Sequence, residues 1–254
     1  MRRAGFLALL APLLMAQAKP ELVPDVSQRD IEIAYSFTGA ELLLFGAILY
    51  PGGRAPAAGE KPADVVVVVK GPTESVLVRE KSKVAGIWVN ADQMRYRSAP
   101  SFYAIASSRP IGELVDERTR AIYELGLDSL QLSPASAAAP EVQARFDRGL
   151  VDLKRRNRLF YEAPRAVEIT DGVLYRARLT IPARVPVGRF TAETFLIRDG
   201  RVLAAAVRPI EIRKSGFEQF VATSAEKQSI LYGLVAVGVS FLFGWGAGAL
   251  WRRF

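Results

Sequence analysis

From Ser229 to Trp251 the chain reads SILYGLVAVGVSFLFGWGAGALW, with no charged side chain. A helix of that length rises about 34 Å, enough to cross a hydrocarbon core of roughly 30 Å. Tyr232 stands near one edge, and Trp245 and Trp251 toward the other, where aromatic rings anchor at a membrane interface. Arg252, Arg253 and Phe254 follow. The pattern predicts a transmembrane helix over 229–251 and a tail of residues 252–254. Everything before it is then tethered to a membrane by its own C-terminus.

The opposite end predicts the side. Arg2 and Arg3 precede an apolar stretch, Ala4 to Met15, and then Ala16-Gln17-Ala18. A positive start, a short apolar run and an A-x-A site make a secretory signal peptide over 1–18. An uncleaved anchor fits less well, because the run is short for a bilayer. Arg252 and Arg253 obey the positive-inside rule if the C-terminus is cytoplasmic. The expected protein is single-pass in a bacterial inner membrane, with residues 19–228 periplasmic.

Composition narrows the chemistry. The chain has no histidine and no cysteine. Ser-His-Asp and Cys-His catalysis are therefore excluded, along with the usual zinc sites and any disulfide framework. No phosphate-binding glycine loop, paired-carboxylate motif or dinucleotide fingerprint is present. The sequence thus predicts no enzyme, no cofactor and no metal. Lys plus Arg number 34 against 26 Asp plus Glu, a formal charge of +8. In an exported domain that excess points to anionic headgroups, to an acidic partner or to nothing specific, and no nucleic-acid partner is expected.

Within the body, hydrophobic periodicity changes twice. Ile31, Ile33, Tyr35 and Phe37 alternate with polar or small residues, as in a strand wet on one face. Residues 41–50 are more continuously apolar, and Val65 to Val69 are five consecutive valines, which reads as a strand buried on both faces. Pro51 to Ala63 reads as a loop, and short strands are expected at 75–81, 86–90, 93–97 and 101–108. Residues 113–125 then carry Leu114, Val115, Ala121, Ile122 and Leu125 on one helical face, with acidic residues in the first turn and Gly126 as a stop. Ser133 to Pro140 reads as a linker. Glu141 to Phe160 reads as a second helix with Val142, Phe146, Leu150 and Leu153 as its apolar stripe. Strands return after Pro164: Val173, Tyr175, Ala177, Leu179 and Ile181 alternate with more polar neighbours. Asp171-Gly172 and Asp199-Gly200 are hairpin turns by composition. The fold class expected is mainly β: one antiparallel, immunoglobulin-like sandwich made by both strand blocks, with a helical pair inserted at about 112–160. Two sandwiches, 21–110 and 164–214, are the alternative.

Four stretches match a known family in order: KSKVAGIWVN (Lys81–Asn90), PSFYAIASSRP (Pro100–Pro110), IPARVPVGRFTAETFLIRDGRV (Ile181–Val202) and the C-terminal apolar run. On these the chain resembles the alphaproteobacterial family described as "putative transmembrane protein". Members tend to be encoded beside a sulfite-exporter-like permease, so the resemblance implies a transporter partner. It implies no catalytic residue.

Candidate sites follow from the residues. Lys81, Lys83, Trp88, Asn90, Asp92, Arg95 and Arg97 are clustered in sequence, with Ser101, Tyr103, Ser107, Ser108 and Arg109 soon after. If their strands are adjacent, Lys83, Trp88, Asn90, Arg95, Arg97, Ser107, Ser108 and Arg109 line one face and hold an anion or a partner. The competing reading makes Trp88, Phe102 and Ile105 core and the polar residues the wet side of the same strands. The helix from Arg145 to Arg158 carries six basic residues and could rest on anionic headgroups or an acidic partner, although a solvated face is the commoner explanation of such a run. Ser224 and Lys227 form a Ser-x-x-Lys pair, whose lysine is better explained as an interfacial charge. Gly244 and Gly248 lie four apart in the apolar run and offer a helix-packing face. The expected function is an accessory or interaction subunit of a membrane transporter, bound to the bilayer and to an integral membrane protein. A tethered periplasmic solute-binding or sensing module is the alternative.

Overall fold

The computed structural model describes residues 20–33, 39–53, 62–214 and 224–251. The predicted signal peptide, the tail 252–254, Tyr35, Phe37 and positions 54–61 of the predicted loop lie outside them.

The body is mainly β, built from several largely antiparallel sheets. One sheet has the order β1 (Glu21–Val26), β3 (Gly39–Leu49), β11 (Leu174–Pro182), β10 (Val167–Thr170), antiparallel throughout. A second runs β2 (Asp30–Ile33), β13 (Arg201–Lys214), β12 (Gly188–Arg198), β4 (Asp64–Lys70), β7 (Tyr103–Ser107), β9 (Phe160–Pro164). Its inner pairs are antiparallel, and the two edge strands, β2 and β9, join in parallel. Strands from before and after the helices therefore lie side by side in both sheets.

The two sheets share one core. Leu42, Leu44 and Ile48 of β3 and Tyr175, Ala177, Leu179 and Ile181 of β11 pack with Val65, Val67 and Val69 of β4 and Phe190 and Ala192 of β12. The remaining valines, Val66 and Val68, point the other way, into a second cluster with Tyr103, Ile105, Phe195, Leu114 and Leu125. All five valines are fully buried. A strand covered on both faces has no polar side to show, so the unbroken valine run and its burial express the same constraint. Each such side chain contributes about 1.5–3 kcal/mol by leaving water.

A third sheet, β5 (Thr73–Val84), β6 (Ile87–Pro100), β8 (Ser133–Pro134), stands apart from the other two. The expected short strands at 86–90 and 93–97 are one continuous strand, β6. A bulge opposite Glu80 and Lys81 absorbs the pattern break that suggested two. The linker expected at 133–140 begins with β8, paired to β6.

The helices differ as well. The single helix expected over 113–125 is two: α1 (Ile111–Leu114) and α2 (Glu117–Tyr123). Val115 is extended between them, and the Asp116 side chain accepts a 2.8 Å hydrogen bond from Thr119 N. Asp116 is a better N-cap than an interior residue, so it restarts the helix and does not continue it. The longer helix, α3 (Pro140–Arg156), stops before Phe160, which belongs to β9. Phe146 and Leu150 are buried, but Leu153 is exposed and Lys154 takes the place expected for it. The final helix, α4 (Ser229–Trp251), has the predicted bounds.

Candidate functional site

The β5–β6 pair is an arm. Lys70 of β4 pairs with Tyr103 of β7; Gly71 N then donates to Phe102 O and Ser101 N to Pro72 O; Thr73 pairs with Pro100. The ladder of the second sheet thus runs without a break into the arm. At its base a Cβ on Gly71 would lie 2.5 Å from Ser101 Oγ and 3.0 Å from Phe102 Cβ, so only glycine lets the two strands close here. At about 3.3 Å per residue the twelve residues of β5 extend about 40 Å.

α3 braces the inner part of the arm. Met94, Tyr96 and Ala99 of β6 pack on Phe146 and Leu150. The Tyr96 hydroxyl donates to Asp147 at 2.6 Å. Burial, and then the carboxylate that accepts this proton, hold the phenol well above its ordinary pKa. Lys154 forms an ion pair with Glu74, donates to Ser101 O at 3.4 Å and lies 5.8 Å from the centre of the Phe160 ring. Arg145 reaches Glu80 at 3.1 Å and Asp92 at 3.3 Å. Beyond these contacts the arm is bare. Its turn, Ala85-Gly86, has φ of 49° and 87°, as a two-residue type I′ turn requires.

A second feature lies at the end of α3. Arg155, Arg158 and Arg184 line a cleft of about 770 Å³ with Tyr161, Thr180 and Pro182. None of the three arginines forms an ion pair among the described residues, whereas Arg156 beside them is paired to Asp152 at 2.6 Å. Tyr161 fixes the wall: its hydroxyl donates to Thr180 O at 3.0 Å and accepts from Thr180 N at 2.8 Å. Burial pushes this phenol up to about 12. Three uncompensated guanidinium groups make the cleft suited to an anion.

The sequence-predicted residues do not form one face. Lys83, Trp88 and Asn90 lie near the tip of the arm, and Arg95 and Arg97 lie farther in. Arg97 donates to Ala135 O at 2.8 Å. Ser107, Ser108 and Arg109 belong to the other end of β7, in a different sheet. There Ser108 donates to Asp64 at 2.8 Å, and Arg109 pairs with the same carboxylate. Both therefore serve a local contact. Phe102 and Ile105 are buried, but Trp88, the third residue assigned to a core by the competing reading, is 65% exposed. Sequence reasoning missed the arginine cleft, because Arg184 is separated from Arg155 and Arg158 by three strands. The basic run on α3 was the one available signal. Lys70, by contrast, sits between Glu124 at 2.8 Å and Glu193 at 3.3 Å, so the hollow it lines of about 400 Å³ carries no spare cation. No hydrogen bond joins Ser224 and Lys227 among the described residues. A Cβ at Gly244 or Gly248 would meet nothing within 4 Å.

A mainly β body with a long, uncharged C-terminal helix and a basic cleft defines a general class. The family model described as "Putative transmembrane protein (Alph_Pro_TM)" matches residues 21–253, and the chain belongs to that family. Counted over the described residues alone, no helix is long and apolar enough to cross a membrane; the side chains of Leu231, Ala249, Leu250 and Trp251 in α4 fall outside that description. No curated protein matches the chain. Among solved structures, Spo0M, a sporulation control protein from Bacillus subtilis, is similar at 11% identity with a TM-score of 0.29, over 83% of this chain and 56% of that one. The chain thus spans little more than half of that protein, and so distant a likeness supports no functional argument.

Proposed function

We propose that the chain is a single-pass membrane protein whose β body, read as an immunoglobulin-like sandwich, is held on the periplasmic side as an accessory or interaction subunit of a membrane transporter. The observation that carries this reading is α4. It has 23 residues, none charged. Its described large apolar side chains are exposed on every side, Ile230 by 81%, Phe241 by 75% and Phe243 by 75%. A helix apolar all round is stable only inside a protein core or a bilayer, and most of its described apolar surface is open. The expectation of a membrane partner follows the family resemblance, and a permease for a small sulfur-containing anion is the partner proposed. Alkaline extraction of membranes, with co-purification in mild detergent, tests the reading. Retention in the membrane with a stoichiometric integral partner supports it; release into the soluble fraction overturns it.

The cleft of Arg155, Arg158 and Arg184 favours a second reading, a tethered module that binds a small anion itself. Sulfite and sulfate at millimolar concentration would then raise the melting temperature of the purified full chain. The triple replacement of these arginines with glutamine would abolish the shift.

A further inference from the structure

Four large apolar side chains sit exposed at the end of the arm, where no described part of the body covers them. Val84 is 55% exposed, Ile87 69%, Trp88 65% and Val89 39%. Cross-strand register sorts them. Val84 lies opposite Ile87 and Ser82 opposite Val89, whereas Lys83 lies opposite Trp88 and Lys81 opposite Asn90. Successive side chains on a strand point to opposite faces. One face of the tip is therefore Val84, Ile87 and Val89. The other carries Lys83, Trp88 and Lys81. No acidic residue occurs from Lys81 to Asp92 exclusive, and the nearest carboxylates, Glu80 and Asp92, are taken by Arg145.

Register also gives the direction. Thr191 of β12 pairs with both Lys70 of β4 and Pro209 of β13. β4 and β13 run the same way, so the end where β4 passes into the arm is the end where β13 runs out at Lys214 toward α4. The loop bearing Arg184 and Val187 lies there too, because Gly188 pairs with Ile212. Residues 215–223 separate Lys214 from Ser224 and cannot exceed about 35 Å however they are arranged. The arm, at about 40 Å, matches that greatest possible separation.

We infer that the tip of the β5–β6 arm, through Val84, Ile87, Trp88, Val89, Lys81 and Lys83, docks into the headgroup layer of an anionic bilayer. This rests on the reading that α4 spans that same membrane. The face with Val84, Ile87 and Val89 enters the acyl boundary, the two lysines meet lipid phosphates, and Trp88 takes the interfacial position its ring prefers. A protein partner fits the tip less well. A stable protein interface buries about 800 Å² on each side, more than the end of a two-stranded ribbon supplies, whereas partition into an interface adds up side chain by side chain. Two points of attachment then fix how the body and its arginine cleft stand over the membrane.

The chain has no cysteine, so single labels are specific. Ile87→Cys, Ser240→Cys in α4 and Arg201→Cys at the far end of β13 are each labelled with an environment-sensitive fluorophore. Each full-length protein is placed in nanodiscs of phosphatidylglycerol and phosphatidylcholine. Quenching by nitroxide-bearing lipid is compared with quenching by aqueous iodide, after melting curves show that each variant is folded. The labels at 240 and 87 should be quenched by lipid, and the label at 201 by iodide alone. Lys81→Glu with Lys83→Glu, or discs of phosphatidylcholine only, should cut lipid quenching at 87 severalfold and leave 240 unchanged. If 240 is lipid-quenched while 87 behaves like 201, the tip inference falls and the membrane-spanning reading stands. If 87 is shielded from both quenchers, a protein covers the tip and the inference is overturned. If 240 itself escapes lipid quenching, the spanning reading falls and the inference with it.

Discussion

Two hairpins of nearly equal length behave in opposite ways. β12–β13 has strands of 11 and 14 residues and β5–β6 has 12 and 14. Both turn through a left-handed pair, Asp199-Gly200 in one and Ala85-Gly86 in the other. β12–β13 lies inside a sheet, with β4 on one side and β2 on the other. Phe190, Ala192, Phe195, Leu196 and Ile197 of β12 are all buried, and they point to both faces. Among the described residues β5–β6 is flanked only by the two residues of β8 and by α3. Met94, Tyr96 and Ala99 are its buried residues, all in the inner half of β6. The turn does not decide which hairpin is absorbed into the body. A face of β12 that is buried from Phe190 to Leu196, with Phe195 and Ile197 buried on the opposite face, does, because each of those faces requires a cover.

That contrast can be broken most directly by putting one charge in each region. Val67→Asp places a carboxylate between the two sheets, away from water and from any base. The expected loss exceeds about 4 kcal/mol, enough to abolish folding, and circular dichroism with limited proteolysis would show it. Trp88→Asp on the arm is the control and should leave the melting temperature where it was.

Alkaline pH should produce the next largest effect. Burial raises the phenols of Tyr161, to about 12, and of Tyr103 above their ordinary value of 10. Below pH 10 folded and unfolded chains both keep these protons. Above it the unfolded chain releases them first, so the stabilisation is lost as pH climbs from 10 to 12. Denaturant midpoints across that range should fall, and Tyr161→Phe should flatten part of the slope.

Lys154→Met probes the joint between arm and body. The lysine is 8% exposed, but its partner Glu74 is open enough to be hydrated. A methionine keeps the packing on Phe160, so the cost should be about 1–2 kcal/mol, and hydrogen exchange should speed up in α3 before it does in β4. Gly200→Val forces a β-branched residue into φ of 76°. It should cost about 1 kcal/mol, read as a lower melting temperature. Smallest of all, Gly244→Leu with Gly248→Leu should not move the melting temperature of the body. If α4 packs on a partner helix through those glycines, recovery of that partner should drop.

The legible parts of the fold were those where one constraint acts alone. The valine run could be read because burial on both faces leaves no choice of residue type. Gly172 and Gly200 could be read because a left-handed pair excludes most alternatives, and φ is 67° and 76° there. The bounds of α4 could be read because an uncharged run has no internal punctuation. The helix break at Val115 was missed because Asp116 serves equally as a first-turn acid and as a cap. Lys154 was missed because helical spacing marked Leu153 for the core, whereas the Glu74 carboxylate and the Phe160 ring that favour a lysine come from distant strands. The eight proposed contact residues scattered for a similar reason. Closeness in sequence does not reveal that β6 and β7, separated by two residues, belong to different sheets.

The unbroken ladder through Gly71 and Phe102 has a mechanical meaning. A hairpin joined to its body by a slack loop pivots freely, and force on its end is lost in the joint. Here the two arm strands continue directly from β4 and into β7 of the second sheet, with backbone hydrogen bonds at Gly71 and Ser101 across the joint. The close packing at Gly71 leaves little room to pivot. A load on Ile87 is carried along β5 and β6 as shear between hydrogen-bonded neighbours. It arrives at Val69 and Ala104, in the middle of the core. The stiffness of the molecule in that direction is set by the valine strand, and pulling on the tip would meet the resistance of the whole body.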